Sequence, residues 1–553
     1  MFKRNEKFCW CIVLLIGAAV ISCPWFTLQT LTSDDMLYHL NRIEGIKEGL
    51  LAGQFPVRIH AFQLNGYGAP DGIFYPDVLL YLPALLRILG FPLGVANNIF
   101  CVFMNFFTVF LAWYAFSLLG HSIRFGAVAS LLYLGSWYHL LNLYVRYDVG
   151  EISAMAFFPL ALVGLLYILQ RDVQRWPLFV IGSVGIFQAH VWSSIFWVLC
   201  VLLIVCICWR RLYEVERRWM LFKSFGIILL LHLWFIVPFL SFYMGMDFNK
   251  AHSFLPIAGS GFDAGDLWSN QFMCGWPIFL GALVLFLQGL RQKGNGELQH
   301  IGNIMLFAGV ILSWLATNLF PWASIESVPM LLHFTAMLQY PRRFLELSAV
   351  LLPFAAAIGF CQLVKHFKWK VQILAVGSIV FCVWNIFAIT HLPILLNGKV
   401  YPVRSYKMYT EKNIPSFVPY LGDDYLYKGM EFQKLKNHEG ESRSGKEIYS
   451  QAILEKVQKQ GTTFKAFYTT AAPASLEIPL IYYPGYKAVD GAGKQLMIKE
   501  TADHIIQVEL PSGNGFVHVY YDGLVRTHIA DGISFFTTVA FCIYLCRYRK
   551  NWI

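Results

Sequence analysis

At 553 residues, 57% of them hydrophobic, 17% aromatic and only 14% charged, the chain lies far from the average of water-soluble domains and points to lipid as its solvent. The net charge of +10 does not mark a nucleic-acid binder, because the basic residues gather between apolar runs and not on one polar face. Nearly all of the 12 cysteines sit in apolar segments, which spells out neither a disulfide framework nor a zinc site.

The first apolar run, Phe8 to Leu28, follows Lys3, Arg4 and Lys7; it is long and lacks a clear small-x-small cleavage site, so it reads as a retained membrane helix. Next comes LTSDDMLYHLNRIEGIKEGLLAGQFPVRIH, the densest polar stretch. Ser33 is placed to cap a helix on which Asp35, His39 and Arg42 share one face, while Leu37, Leu40, Ile43, Ile46 and Leu50 supply grease for the membrane interface. A carboxylate and an imidazole so held can serve as a general base or bind a divalent cation, Mg or Mn; the pattern equally suits an ordinary amphipathic surface helix. In the following NGYGAPDGIFYP, Gly66, Gly68 and Gly72 let backbone approach a ligand, and Tyr67, Phe74 and Tyr75 offer faces to a sugar ring. The bland reading is a tight connection with interfacial aromatics. Segment 77 to 90, short and interrupted by proline, is expected to lie as a hairpin or half-helix at the outer face.

Farther on, YVRYDVGE sets Arg146, Asp148 and Glu151 at the start of a helix running to Leu169, where they can pair with one another or Arg146 can grip an anionic group such as a lipid phosphate. His190 interrupts an apolar stretch and splits it into two short helices, 177 to 189 and 191 to 209. The runs Phe225 to Phe242, Leu345 to Val364 and Val371 to Ile389 approach the length that crosses ~30 Å of hydrocarbon. QYPRRFLE presents Arg342, Arg343 and Glu346 at a helix start, where the arginines either snorkel to lipid phosphates or serve the site.

Five basic clusters share one side if about twelve segments cross: the N-terminus, Arg171 with Arg175, the group from Arg210 to Arg218, Lys365 with Lys368 and Lys370, and Arg547 to Lys550. Both termini are then cytoplasmic. Segments 29 to 94, 141 to 152, 243 to 275, 321 to 342 and 392 to 529 face outward, together with Asp263 and Asp266. The expected class is a polytopic α-helical membrane protein of the cytoplasmic membrane. Residues 1 to 394 form its helical domain, with an outer loop at 29 to 76. Residues 395 to 529 are polar, with Asp423, Asp424, Lys434, Lys436 and HEGESRSGKE, and their second half alternates as strands do. A small extracytoplasmic mixed α/β domain is expected there. It includes a hairpin of HIIQVEL and FVHVYY around Pro511 to Gly515, and residues 530 to 553 carry a last membrane helix and cytoplasmic tail.

The D-x-x-x-H-x-x-R of Asp35 to Arg42, G-x-F-P-x-R of Gly53 to Arg58, GYG-x-P at Gly66, FYP at Phe74, R-x-x-x-x-E of Arg146 to Glu151, His190, QYPRRF at Gln339 and YYPGY at Tyr482 recur in one order across most of the chain. The set resembles a bacterial membrane family labelled "6-pyruvoyl-tetrahydropterin synthase-related", similar to YfhO-like proteins and the GT-C glycosyltransferase superfamily. No pterin-synthase metal motif supports that label. The resemblance implies a GT-C-like fold that takes a sugar from a polyprenyl-phosphate carrier to an envelope glycan, lipid or protein acceptor on the extracytoplasmic face. It implies Asp35 as the catalytic or metal-supporting acidic residue of the first outer loop, deprotonating the acceptor hydroxyl, with Asp34 its neighbouring alternative and His39 positioning the acceptor or helping Asp35 hold a cation. The adjacent Asp34 and Asp35 depart from a separated D-x-D, which puts the cation in doubt. Arg42, Arg58, Tyr67, Tyr75, Arg146, Glu151, His190, Arg342 and Arg343 are the expected contacts to substrate or lipid phosphate, and a single displacement would invert the anomeric centre. Two rival readings stay open: a flippase for lipid-linked sugars, and a non-catalytic envelope polysaccharide assembly protein.

Overall fold

The computed structural model describes residues 4–249, 257–263, 266, 275–291, 296–331, 338–396, 399–401, 405–414, 425–430 and 448–548. The helices of seven residues or more among them are α1 (Arg4–Ser22), α2 (Met36–Leu51), α3 (Tyr81–Ile88), α4 (Leu93–Gly120), α5 (Ile123–Leu134), α6 (Val149–Met155), α7 (Phe158–Gln170) and α8 (Trp176–Phe187). They continue as α9 (Val191–Ile207), α10 (Val215–Gly245), α11 (Trp276–Arg291), α12 (Glu297–Leu315), α13 (Leu345–Leu363), α14 (Lys370–His391) and α15 (Val525–Arg547). Eight helical stretches are long and apolar enough to cross a membrane: Asn5–Trp25, Leu93–Gly120, Val149–Gln170, Val215–Gly245, Glu297–Leu315, Pro341–Leu363, Lys370–His391 and Val525–Arg547. Shorter apolar helices include α5, α9 and the stretch Val173–Phe187.

The connections sort to two ends. At one end the Asp35 N–H donates to the Arg146 carbonyl (2.8 Å), Thr32 N–H to Ser405 (2.8 Å), Asn249 N–H to Leu426 (2.7 Å), and the Ile257 N–H to the Glu326 carboxylate (2.5 Å). Arg146 also meets Tyr340 there. The five segments expected on the outer side thus meet one another. At the opposite end Arg124 pairs with Glu6, Arg171 with Glu297 (2.9 Å), and Gln362 donates to Gln299 (2.5 Å). Two of the basic groups meet at this end, where Arg217 donates to the Arg171 carbonyl (3.1 Å).

Close helix contacts depend on glycine. A Cβ on Gly164 of α7 would lie 2.1 Å from the Phe179 nitrogen of α8, and one on Gly182 of α8 2.4 Å from the Ala161 nitrogen, so both are packing glycines. The helix α2 differs from expectation. It does not lay an apolar face on the membrane interface; Leu40, Ile43 and Ile46 are buried, and so are Asn41, Arg42 and Glu44. Glu44 is paired with Lys47 (2.9 Å) and Arg87, and Arg87 reaches Glu411 (2.9 Å), so charged partners enclose the helix.

Within the expected mixed α/β domain of 395–529, the described residues between 448 and 521 form two four-stranded antiparallel sheets, and most of 397–447 lies outside the described residues. The strands are β5 (Tyr449–Ser450), β6 (Ile453–Gln460), β7 (Thr463–Thr470), β8 (Ala474–Ile481), β9 (Tyr486–Asp490), β10 (Ile498–Glu500), β11 (Ile505–Leu510) and β12 (Gly513–Tyr521). Four short strands precede them: β1 (Thr30–Leu31), β2 (Ile394–Leu396), β3 (Lys399–Tyr401) and β4 (Tyr406–Lys407). The sheet orders are β10-β11-β8-β5 and β6-β7-β12-β9, so the expected hairpin does not form: β11 and β12 are consecutive but belong to different sheets. Both carry buried residues on the facing sides, and the chain crosses between layers through Gly513 at φ 103°. The core between the sheets takes in Tyr67, Phe74, Phe242 and Phe248 from the helical part. The last helix begins at Val525, inside the expected boundary, and Asp423, Asp424, Lys434, Lys436 and HEGESRSGKE lie outside the described residues.

Candidate functional site

Two backbone hydrogen bonds position the centre of the site. The N–H groups of Asp34 and Asp35 donate to the carbonyls of Val145 (3.0 Å) and Arg146 (2.8 Å), which lays the start of α2 against the turn before α6. That turn, Asn142–Arg146, is a wide π-helical one followed by Tyr147 in the left-handed region at φ 59°, a costly conformation that redirects the chain into α6. Asp148 caps α6 by accepting the Glu151 N–H (3.0 Å). The cap of α2 is Asp35 itself and not Ser33, whose hydroxyl donates to the Tyr144 carbonyl (3.1 Å). The Asp35 side chain makes no capping bond, so its carboxyl is not spent on the end of α2.

Around it sits a dense ion-pair network. Arg146 donates to Asn142 (2.6 Å), Glu151 (3.1 Å), Asp148 (3.0 Å) and the Tyr340 hydroxyl, which commits its guanidinium to internal partners. Glu151, fully buried, also accepts from Tyr138 (2.7 Å) and Asn142 (2.9 Å) and lies 3.5 Å from Arg343. Arg343, only 5% exposed, donates one Nη2 bond to Gln339 (2.6 Å), while its Nε and Nη1 make no hydrogen bond among the described residues. The ring of Tyr340 lies under both guanidinium groups, 4.9 Å from Arg146 and 4.8 Å from Arg343.

A second layer backs this one. Arg42 stacks on Tyr75 at 3.9 Å, donates to the Pro76 carbonyl (2.9 Å) and approaches His39 Nδ1 at 3.3 Å. Burial and the Arg42 charge hold the His39 imidazole well below its usual range, hence neutral, with Nδ1 accepting from Arg42. His190 caps α9 and stands beside Tyr75 at 5.7 Å. Burial, followed by the Asp148 charge, raises the Asp35 carboxyl to about 7, against the pull of Arg146 and Arg343. A half-buried carboxyl titrating near neutrality is suited to accept a proton.

The fold thus gathers Asp35, His39, Arg42, Tyr75, Arg146, Glu151, His190 and Arg343 from distant segments. Asp34 stands at the exposed rim, and Arg342 turns to the Phe262 ring at 4.8 Å. Arg58 and Tyr67 are elsewhere. Arg58 pairs with Asp531 (2.6 Å), and Tyr67 is buried in the core between the sheets, its carbonyl accepting the Ile481 N–H (3.1 Å). The glycine-rich loop is therefore a docking surface for the sheets: Lys459 donates to the Gly66 carbonyl (2.6 Å) and Tyr483 to that of Gly68 (3.3 Å). Asn142, Tyr138, Ser193 and Tyr340 join the site without having been singled out; the signal available was polar groups inside apolar helical runs.

The donor set does not fit Mg or Mn, which seek six or more oxygens. Asp148 and Glu151 are spent on arginines, His39 Nδ1 on Arg42, and no group of three or more His, Cys, Asp or Glu among the described residues is placed to hold a metal.

No known protein family matches the chain, and no curated protein does. Among solved structures the chain is similar to the crystal structure of the Archaeoglobus fulgidus oligosaccharyltransferase in complex with Zn and sulfate, at 13% identity and a TM-score of 0.31. The alignment covers 71% of this chain and 53% of that one, so the chain spans about half the length of the protein it matches. A likeness this loose decides neither the fold nor the chemistry.

Proposed function

We propose that this chain is a glycosyltransferase of GT-C type, crossing the cytoplasmic membrane about twelve times, with both termini inside and its site on the extracytoplasmic face. It takes a sugar from a polyprenyl-phosphate carrier to an envelope glycan, lipid or protein acceptor. The observation that carries the reading is the place of Asp35: a half-buried carboxyl free of capping bonds, tied through its backbone N–H to the Arg146 carbonyl (2.8 Å) and raised to about 7 by burial and the Asp148 charge. The order of motifs resembling the superfamily supports the same assignment.

In this reading Asp35 removes the proton from the acceptor hydroxyl. The hydroxyl oxygen forms a bond to the anomeric carbon as the bond to the lipid phosphate breaks, and the electron pair leaves on the phosphate oxygen. The Arg343 guanidinium, held 3.5 Å from Glu151, supplies positive charge toward that phosphate, while Arg146 holds Asp148 and Glu151 in place. A single displacement inverts the anomeric centre.

The test is transfer from a panel of radiolabelled polyprenyl-phosphate sugars to extracted envelope acceptors by purified wild type and Asp35→Asn, matched for folding. Transfer by wild type alone is expected. Equal transfer by both removes Asp35 from the chemistry, and no transfer from any donor by intact protein overturns the transferase reading.

A further inference from the structure

Behind Asp148 lies a chain of three buried groups that the transfer step does not use. His190 Nδ1 is 2.8 Å from Ser193 Oγ, and Ser193 Oγ is 2.5 Å from Glu346 Oε1. All three residues are buried, Glu346 to 1% exposure on α13 within the 341–363 stretch. Both contacts are too short for two facing lone pairs, so each holds a hydrogen. Ser193 has one hydroxyl hydrogen, which fills one contact. The other must come from Glu346 as a carboxylic acid or from His190 as Nδ1–H.

Two observations place it. The Ser193 backbone N–H donates to His190 Nδ1 (3.3 Å), which marks that nitrogen as an acceptor. Among the described residues no cation lies within ion-pair distance of Glu346; Arg343 acts on it from farther off, opposed by Glu151 and Asp148, and Glu151 takes both Arg146 (3.1 Å) and Arg343 (3.5 Å) as its own partners. A buried carboxylate without a cation is costly, and a neutral acid is not. Burial, as the largest influence, keeps His190 down at about 4, in line with a neutral ring.

The far side of the His190 ring belongs to the site. Asp148, Arg343, Glu151 and Arg146 are the charged groups that act on it, and Tyr75 flanks it. Gly150 permits this approach: a Cβ there would lie 2.8 Å from His190 Cδ2 and 2.2 Å from the Tyr75 hydroxyl oxygen.

We propose that Glu346, Ser193 and His190 form a proton relay in which Glu346 rests as a carboxylic acid and gives up its proton to charge His190 when a phosphate anion enters the site. This rests on the transferase reading for the identity of the anion. In the step the Glu346 proton passes to Ser193 Oγ as the Ser193 hydroxyl proton passes to His190 Nδ1. One carboxylate and one imidazolium result, and no proton is gained or lost. Ser193 and Glu346 are positioning residues; they set the charge beside Asp148 and touch no substrate.

Infrared difference spectra and the imidazole ¹⁵N signals of His190 test it, on wild type, Glu346→Gln and Ser193→Ala. The probes are a polyprenyl monophosphate and its uncharged alcohol. Glu346→Gln keeps a donor to Ser193 and so spares the fold. Wild type is expected to show the C=O band of a buried protonated carboxyl, absent from Glu346→Gln. The phosphate should bleach that band and turn His190 to imidazolium, the alcohol should do neither, and Ser193→Ala should keep the band unbleached. A wild-type spectrum without that band overturns the relay, as does a band that survives bound phosphate with His190 neutral. If tryptophan fluorescence shows that no phosphate binds, the transferase reading and the charging step fall together, while the resting band still decides where the proton sits.

Discussion

Asp35 carries opposite consequences for activity and stability. As the proposed base it must be ionised, so transfer should rise as pH increases through about 7, and Asp35→Asn should lose that limb with about 10²- to 10⁴-fold of the rate. For stability the sign is reversed. A carboxyl whose folded pKa is raised binds its proton more tightly in the folded state than in the unfolded chain, where it titrates near about 3.9. The folded protein therefore loses stability as pH climbs from about 4 to about 7, and Asn escapes the loss. Thermal unfolding in one detergent should show Asp35→Asn melting higher than wild type at pH 8 and level with it at pH 4. A variant that melts lower at pH 8 would show that Asp35 is a structural group. The nearness of Asp35 to His39 and Arg42 was legible from their register, but its place as the cap residue of α2 was not, because Ser33 is drawn away by a carbonyl more than a hundred residues distant in sequence.

At the scale of elements, the site depends on how closely α6 approaches the break between α8 and α9. Gly150→Ala would drive a methyl into the Tyr75 hydroxyl and the His190 ring, and the expected cost is about 1–3 kcal/mol with loss of transfer. Gly377→Ala is the control: nothing lies within 4 Å of its added Cβ on α14, so stability should be unchanged or raised by up to about 1 kcal/mol. Unfolding of both variants, with transfer assayed alongside, separates the two; equal behaviour would mean the Gly150 contact yields easily. Elements were legible where periodicity decides them, as in the apolar runs, the break at His190 and the alternation of β11 and β12. Partners were not. Alternation tells which face of a strand is buried and says nothing of which strand lies beside it, so β11 and β12 read as a hairpin when they belong to facing sheets. The loop at Gly66 to Pro70 likewise has the composition of a ligand loop, yet its carbonyls are taken by Lys459, Ile481 and Tyr483, residues nearly four hundred positions away or more. The burial of α2 has the same origin, since Arg87 and Glu411 close over Glu44 from outside any local pattern.

For the whole molecule, the stretch from 29 to 76 is the joint. Its start holds Asp35 against Arg146, its middle seats the sheets, and Arg58 ties it to the last helix through Asp531 at 2.6 Å. That helix is fixed in turn: Ser534 Oγ donates to the Leu230 carbonyl (2.8 Å) and accepts the Trp234 N–H (3.0 Å), while the Arg58 guanidinium lies 5.4 Å from the Trp234 ring. Arg58, the more buried partner at 6% side-chain exposure against 24% for Asp531, has no other carboxylate among the described residues to turn to. Removing either partner leaves the other unpaired, a buried Arg58 or a partly buried Asp531, at a cost of about 1–3 kcal/mol. Arg58→Met and Asp531→Asn should therefore each lower the unfolding temperature, and the double variant should lose less than the sum of the two. Hydrogen exchange supplies the locating measurement. Loss of the pair should speed exchange at the Arg58 and Ile59 amides, which donate to the Gln54 side chain, and at the His60 amide, which donates to Ala69, leaving α12 and α13 unchanged. Additive destabilisation with no change in exchange over 58–60 would mean that α15 and the 29–76 stretch are held in place independently, and that the site at Asp35 does not depend on the last helix.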